Sequence, residues 1–232
     1  MPELQAALKR IQQQSQSEWE AYQKREAERK QRALNQLREE RWKAANLPPR
    51  HVKTIPNGPN AATEWWTAYH QANNIVKSRG TVALIGDRGV GKTQIAVELV
   101  RSRIILAEHH PWTCIYCRAA ELFQEIRECY GQKATRREAD VINRFVTPQL
   151  LIVDEAHDRA HSDFETRMLT LILDKRYAGL RPTVFIANAT PDEFRQQIGE
   201  SIYDRIVETG AIIHCIWPSY RVVARDARPK GE

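Results

Sequence analysis

Long apolar runs are missing from this 232-residue chain. Nothing in it approaches the roughly 18 successive apolar residues of a membrane span, and Met1 to Gln5 lack the basic and apolar regions of a secretion signal. A cytoplasmic protein without a membrane partner is expected, in the host cytoplasm if a phage encodes it. Cysteine is sparse as well. Cys114, Cys117, Cys129 and Cys215 lack the second close pair that a four-thiolate zinc site requires. Cys114 and Cys117, three apart in a predicted strand, face opposite sides, so buried free thiols in a reducing compartment are expected. Acidic excess is also absent: 35 Lys and Arg against 29 Asp and Glu leave a formal charge of +6. That surplus favours contact with a polyanion without demanding one. No internal repeat is visible, and the length suits one ordinary domain plus an extension.

Glycine and proline are almost absent from Leu4 to about Ala45, where Gln, Glu, Arg, Lys and Ala dominate. These are strong helix formers, so residues 1–45 are predicted as a helical region of one helix or two. Leu4, Leu8 and Ile11 share one face, while Trp19 with Tyr22 and Leu34 with Leu37 form two further short stripes. The polar gaps between them exclude a sustained heptad. Trp19 and Trp42 on so polar a segment suggest docking onto the rest of the chain or onto a partner; a solvated helix with local packing is the alternative. Pro48 and Pro49 stop the helix, and Asn57 to Asn60 is a turn cluster, which places a linker at 46–61.

Residues 62–220 then alternate helix and strand, with strands at 81–85, 112–117, 149–153, 182–187 and 211–217, and 221–232 reads as an irregular basic tail. Two short helices fit 119–130 and 135–146, and single helices fit 162–178 and 192–208. Runs such as Leu150 to Val153 are apolar throughout and need both faces covered. The predicted fold is α/β: a parallel five-stranded sheet of the P-loop NTPase type flanked by helices, plus the N-terminal helical extension.

Between the first strand and the following helix lie Gly86, Asp87, Arg88, Gly89, Val90, Gly91, Lys92 and Thr93, which fill every fixed position of a phosphate-binding loop. The glycines permit the tight path, and the amides from Gly89 to Thr93 can converge on phosphates at a helix N-terminus. Lys92 would reach the β and γ phosphates of ATP, and the Thr93 hydroxyl would hold Mg²⁺. The third strand ends in Asp154 and Glu155. A carboxylate at the tip of a buried strand can coordinate Mg²⁺ through water, which assigns Asp154; Glu155 would polarise the attacking water, an arrangement that binding alone does not require. Asp154 to His157 also spells the box of one helicase superfamily, but the chain is too short for two motor domains, and His157 reads as incidental.

The fourth strand delivers Asn188 to the same sheet edge, where its amide can bond the lytic water or the γ-phosphate, or merely cap the turn at Thr190. Arg205, on the helix before the last strand, either approaches a neighbouring subunit's nucleotide or forms an ion pair with Glu208 or Asp204.

In order and spacing these elements resemble an AAA+ ATPase, and more closely the bacterial replicative helicase loader family, whose relatives include the ATPase helpers of certain insertion-sequence transposases. The resemblance covers about residues 46–224. It rests on the lead-in Asn46 to Arg50, the phosphate loop, Ile152 to Glu155, Asn188, the passage Ile198 to Ile206, and Trp217 to Arg221. It implies that Arg205 is an arginine finger acting in trans, that subunits self-associate through the ATPase domain, and that the domain touches single-stranded DNA. It also implies that the N-terminal helix grips a replicative hexameric helicase. The helices at 119–146 match in place the helical insertion of the replication-initiator clade, which makes Arg136 and Arg137 candidate DNA contacts and Tyr130 a candidate stacking residue.

The chain departs from the family in three places. It carries no N-terminal cysteine-rich zinc module, it has Ser201 where Arg is frequent, and it has little sequence after Tyr220 for a helical lid. The expectation is an ATP-dependent helicase loader using ATP and Mg²⁺, with Glu155, Lys92, Asn188 and Arg205 as catalytic residues. A transposition helper assembling on duplex DNA and a nucleotide-gated protein adaptor are the alternatives.

Overall fold

The computed structural model describes residues 2–53, 63–107, 109–130, 134–158 and 162–220. The turn cluster at Asn57 to Asn60 and the basic tail 221–232 lie outside the described residues. Contacts divide the chain into two compact units, Met1–Glu40 and Arg41–Glu232.

The first unit is helix. Its residues belong to α1 (Pro2–Ala44), a single helix where the sequence allowed two. Turn-to-turn side-chain pairs support it, including Gln16 with Glu20 at 3.1 Å, Gln31 with Asn35 at 2.9 Å and Gln36 with Glu40 at 3.0 Å. Each such pair stabilises an exposed helix by about 0.2–0.5 kcal/mol. Trp19 and Tyr22 stack with ring centroids 5.7 Å apart, and both are exposed.

The second unit follows with α2 (Pro49–Lys53), α3 (Thr63–Lys77), β1 (Val82–Gly86), α4 (Lys92–Ile104), β2 (Cys114–Arg118) and α5 (Ala119–Arg127). After a 3₁₀ turn at Glu128–Tyr130 come α6 (Glu138–Val146), β3 (Leu150–Asp154), α7 (Asp163–Ala178), β4 (Thr183–Ala187), α8 (Pro191–Ile198), α9 (Glu200–Thr209) and β5 (Ala211–Cys215). Within the stretch read as linker, α2 begins on Pro49, whose fixed φ suits a first helical position. The single helix expected over 192–208 is two. Gly199, at φ 89°, separates α8 from α9, and Thr190 and Glu193 close a reciprocal cap on α8.

The five strands form one parallel sheet in the order β2-β3-β4-β1-β5. Because strand residues alternate sides, each strand feeds two cores. Ala83, Ile85, Cys117, Leu151, Val153 and Phe185 meet the apolar faces of α5 to α9. Val82, Leu84, Cys114, Tyr116, Ile152 and Ile186 meet α3 and α4 through Trp65, Ala72, Ile95 and Leu99. Cys114 and Cys117 therefore sit in different cores, and all four cysteines are free. Burial pushes the Cys114 and Cys215 thiols up to about 12, which keeps them protonated and unreactive.

One fully buried side chain in this packing carries a charge. Arg176 of α7 donates to Thr183 Oγ1 (2.9 Å) and to the carbonyls of Phe145 (2.9 Å), Val146 (3.1 Å), Pro148 (2.8 Å) and Pro182 (2.6 Å). It thus joins the end of α6 to the starts of β3 and β4. Burial lowers it to about 9, still above neutrality, so the guanidinium remains a cation at pH 7.

A candidate nucleotide site at the carboxyl edge of the sheet

In an open parallel sheet the strand ends share one edge, and ligands bind in the crevice there. β1 ends in Gly86 and β3 in Asp154, while Asn188 directly follows β4 and the loop 87–91 turns from β1 into α4.

The loop needs glycine where its backbone is left-handed or crowded. Gly91 has φ 88°, and a Cβ there would stand 2.9 Å from Trp65 Nε1; at Gly86, φ 130°, it would meet the Cys215 carbonyl oxygen at 2.4 Å. Gly91 is also the N-cap of α4 and offers no side-chain cap, and the first turn holds no acidic residue. The positive end of the helix is thus not neutralised from within its own turn, as suits an anion.

Three successive loop carbonyls accept hydrogen bonds from outside the loop: Gly89 from the Tyr220 amide (3.1 Å), Val90 from the Trp217 indole (2.7 Å) and Gly91 from the Trp65 indole (3.3 Å). With their oxygens held on the protein side, the peptide units are oriented as a cradle requires. No local pattern marks Trp65 for this use, and Trp217 is singled out only by the passage Trp217 to Arg221 that resembles the family.

Lys92 is buried, and its ammonium donates to the carbonyls of Gly86 and Asp87, each at 2.7 Å, and to Asn188 Oδ1 at 2.9 Å. Asn188 therefore reaches the phosphate loop rather than capping its own turn. Thr190 is occupied with Glu193. Thr93 Oγ1 donates to Asp154 Oδ2 at 2.9 Å, and Tyr116, unremarked in the sequence, donates to the same oxygen at 2.7 Å. Burial and the adjoining Asp154 push the Tyr116 phenol far up, so it stays a donor. Asp154 Oδ1 accepts the Glu155 amide at 2.7 Å. A hydroxyl beside a carboxylate, each presenting hard oxygen, fits Mg²⁺, with Thr93 and Asp154 as the residues that would hold it. Among the described residues no cluster of three His, Cys, Asp or Glu offers another metal site.

Glu155 has φ 53° and sits outside the strand proper, its carboxylate 3.5 Å from Arg118 Nε at the end of β2. Both side chains are about half exposed, at 43% and 56%, so the pair holds Glu155 only weakly.

His157 is not incidental. Its Nδ1 accepts the Asn188 backbone N–H at 3.1 Å, and its Nε2 lies 3.3 Å from Asn188 Nδ2. Burial holds it below the usual histidine value against the opposing charges of Asp158 and Glu155, so it is neutral at pH 7. A motif reading could not find this contact, because it depends on β3 lying beside β4.

The remaining candidates lie elsewhere. Arg205 pairs with Asp174 of α7 at 2.7 Å, not with Asp204 or Glu208, and donates to the Ser201 carbonyl at 2.6 Å. Tyr130 donates to Glu138 at 2.5 Å. Arg136 lies 3.4 Å from Glu125 and 3.7 Å from Glu128, and Arg137 lies 3.7 Å from Asp140. All three are exposed, but acidic neighbours balance the two arginines.

A sequence model of IstB-like ATP binding proteins matches residues 2–227. The replicative helicase loader DnaC of Escherichia coli (strain K12) is 24% identical over 138 residues, 59% of this chain and 54% of that protein. An insertion-sequence ATP-binding protein of Mycobacterium tuberculosis is 26% identical over 153 residues, 64% of this chain and 58% of that protein. The chain thus spans little more than half the length of these curated relatives. Among solved structures, the DnaC helicase loader superposes with a TM-score of 0.55 at 16% identity, covering 75% of this chain and 98% of that one. DnaA from Aquifex aeolicus bound to AMPPCP gives 0.60 at 14% identity, covering 78% and 56%. No described helix is long and apolar enough to cross a membrane.

Proposed function

The chain belongs to the IstB-like ATP binding protein family, within the AAA+ ATPases related to the helicase loaders, and from that premise we propose that it hydrolyses ATP to load a replicative hexameric helicase onto single-stranded DNA. The observation that carries the ATPase half is the convergence of Lys92, Thr93, Asp154 and Asn188 on one strand edge through bonds of 2.9 Å. Lys92 and the loop amides bind the triphosphate. Thr93 and Asp154 would hold Mg²⁺, which would supply neutralisation of the charge on the phosphates. Glu155 takes a proton from the attacking water, and Asn188 orients that water or the γ-phosphate.

Arg205 acts in trans once a neighbouring subunit draws it from Asp174. Residues 1–45 form the partner-binding region and 62–220 the ATPase domain, joined by 46–61. The exposed Trp19 and Tyr22 stack is the anchor for the helicase, since aromatic side chains dominate binding hot spots. Tyr130, Arg136 and Arg137 contact DNA after exchanging their acidic partners for phosphate.

A second reading, a transposition helper on duplex DNA, is favoured by the family match, which runs through α1, and by the insertion-sequence relative. Purification of the tagged protein from its native cell, with identification of what it brings down, separates the two: a hexameric helicase supports loading and a transposase overturns it. DNA affinity is expected to fall with log salt at about 0.7 per phosphate contacted if single strands are bound. A flat response in fluorescence anisotropy removes DNA from the proposal.

The loop clamp makes its own prediction. Trp217→Phe keeps an aromatic ring, though a smaller one, and deletes the N–H that Val90 receives, at a cost of about 1 kcal/mol, so Mg-ATP affinity by calorimetry should weaken roughly fivefold. Unchanged affinity would show that the clamp does not tune the loop.

A further inference from the structure

The contact between His157 and Asn188 does not satisfy both partners as it stands. Because the Asn188 backbone N–H donates to Nδ1, that nitrogen carries a lone pair. A neutral imidazole then has its proton on Nε2. Yet Nε2 faces Asn188 Nδ2 at 3.3 Å, and an amide nitrogen only donates. The side-chain amide is turned this way because its oxygen is bound by the Lys92 ammonium, which also can only donate. A doubly protonated ring would be worse, since Nδ1 would then confront the Asn188 N–H. One motion satisfies both His157 and Asn188: a half-turn of the Asn188 amide about its last side-chain bond. The oxygen would then accept from His157 Nε2–H, and the NH₂ would face the position Lys92 occupies. That turn is blocked while Lys92 needs the oxygen. A phosphate oxygen, being charged, is a stronger acceptor for an ammonium than an amide is.

We propose that His157 is a positioning residue that turns Asn188: when Lys92 engages a nucleotide's phosphates and releases the amide oxygen, His157 captures that oxygen and presents the two Asn188 N–H donors to the terminal phosphate. The inference rests on the nucleotide reading above and adds to it a coupling between phosphate binding and the state of Asn188. It also gives the histidine of the Asp154 to His157 run a use unrelated to unwinding.

The test uses the full chain labelled with ¹⁵N at Asn and His, titrated with Mg²⁺ and a non-hydrolysable ATP analogue. Asn188 is assigned by comparison with Asn188→Ala, and His157 by comparison with His157→Phe. Both the Asn188 NH₂ pair and His157 Nε2 should shift on binding, with slowed solvent exchange at Nε2–H. In kinetics, His157→Phe should lower kcat roughly tenfold with KM nearly unchanged. His157→Gln, whose amide can accept from the Asn188 N–H and donate to its oxygen, should recover most of the loss. Asn188 and His157 signals that stay fixed while phosphate-loop signals move would overturn the inference and leave the nucleotide reading intact, as would a fully active His157→Phe. If no resonance of the chain responds to the analogue, the nucleotide reading itself fails and takes this one with it.

Discussion

Replacing Glu155 by Gln is expected to lower ATP turnover by at least ~100-fold while leaving nucleotide affinity within about threefold of the parent. The two effects separate because of where the residue stands. Lys92 is tied to the loop and to Asn188, and Thr93 to Asp154, by bonds that do not involve the Glu155 side chain. Among the described residues that carboxylate pairs with Arg118, across 3.5 Å at a half-exposed position. Glutamine preserves its volume and its reach and removes the one property hydrolysis needs, a site that can accept a proton. Single-turnover phosphate release set beside equilibrium binding measures both quantities. A turnover equal in parent and variant would mean that Glu155 activates no water, and would favour a nucleotide-gated adaptor over an enzyme.

Arg176→Met should be the most damaging change outside the site, costing about 3–5 kcal/mol of stability. Five acceptors lose this donor at once, four of them backbone carbonyls; Val146 keeps a second donor in Arg181 and Pro182 one in the Leu151 amide. Methionine fills the space without offering a single N–H. Water cannot readily substitute, because the parent side chain is fully buried. For a domain of this size the melting temperature should fall on the order of 10 °C. Lysine would recover only part of this, since a single ammonium cannot span acceptors on three elements. Urea denaturation supplies the check: a variant with the parent's midpoint would show those carbonyls to be satisfied by other means.

How much could be read from the residues follows the separation along the chain of the groups that meet. The phosphate loop is eight adjacent positions whose strand and helix neighbours are themselves local patterns, so both its identity and its context are plain. Asp154 and Asn188 are nearly as legible, because each ends an apolar run and parallel strands bring such ends to one edge. Tyr116 and Asp154 stand 38 positions apart, and Trp217 and Val90 stand 127 apart. No periodicity encodes those meetings; they require the strand order and the register. The His157 contact is not legible in the Asp154 to His157 run, because its partner Asn188 stands at the end of another strand. Nor is the break at Gly199, since a single glycine within a helical pattern does not reveal its φ.

The hydrogen bonds from Trp217 and Tyr220 to the phosphate loop bear on how the protein can be handled. By topology the sheet is finished at Cys215, and anyone designing a minimal fragment from strand boundaries alone would stop there. Such a truncate would retain every strand yet leave two of the loop's oxygens without their donors. Fusions and cleavage sites therefore belong beyond residue 220, or at the opposite terminus.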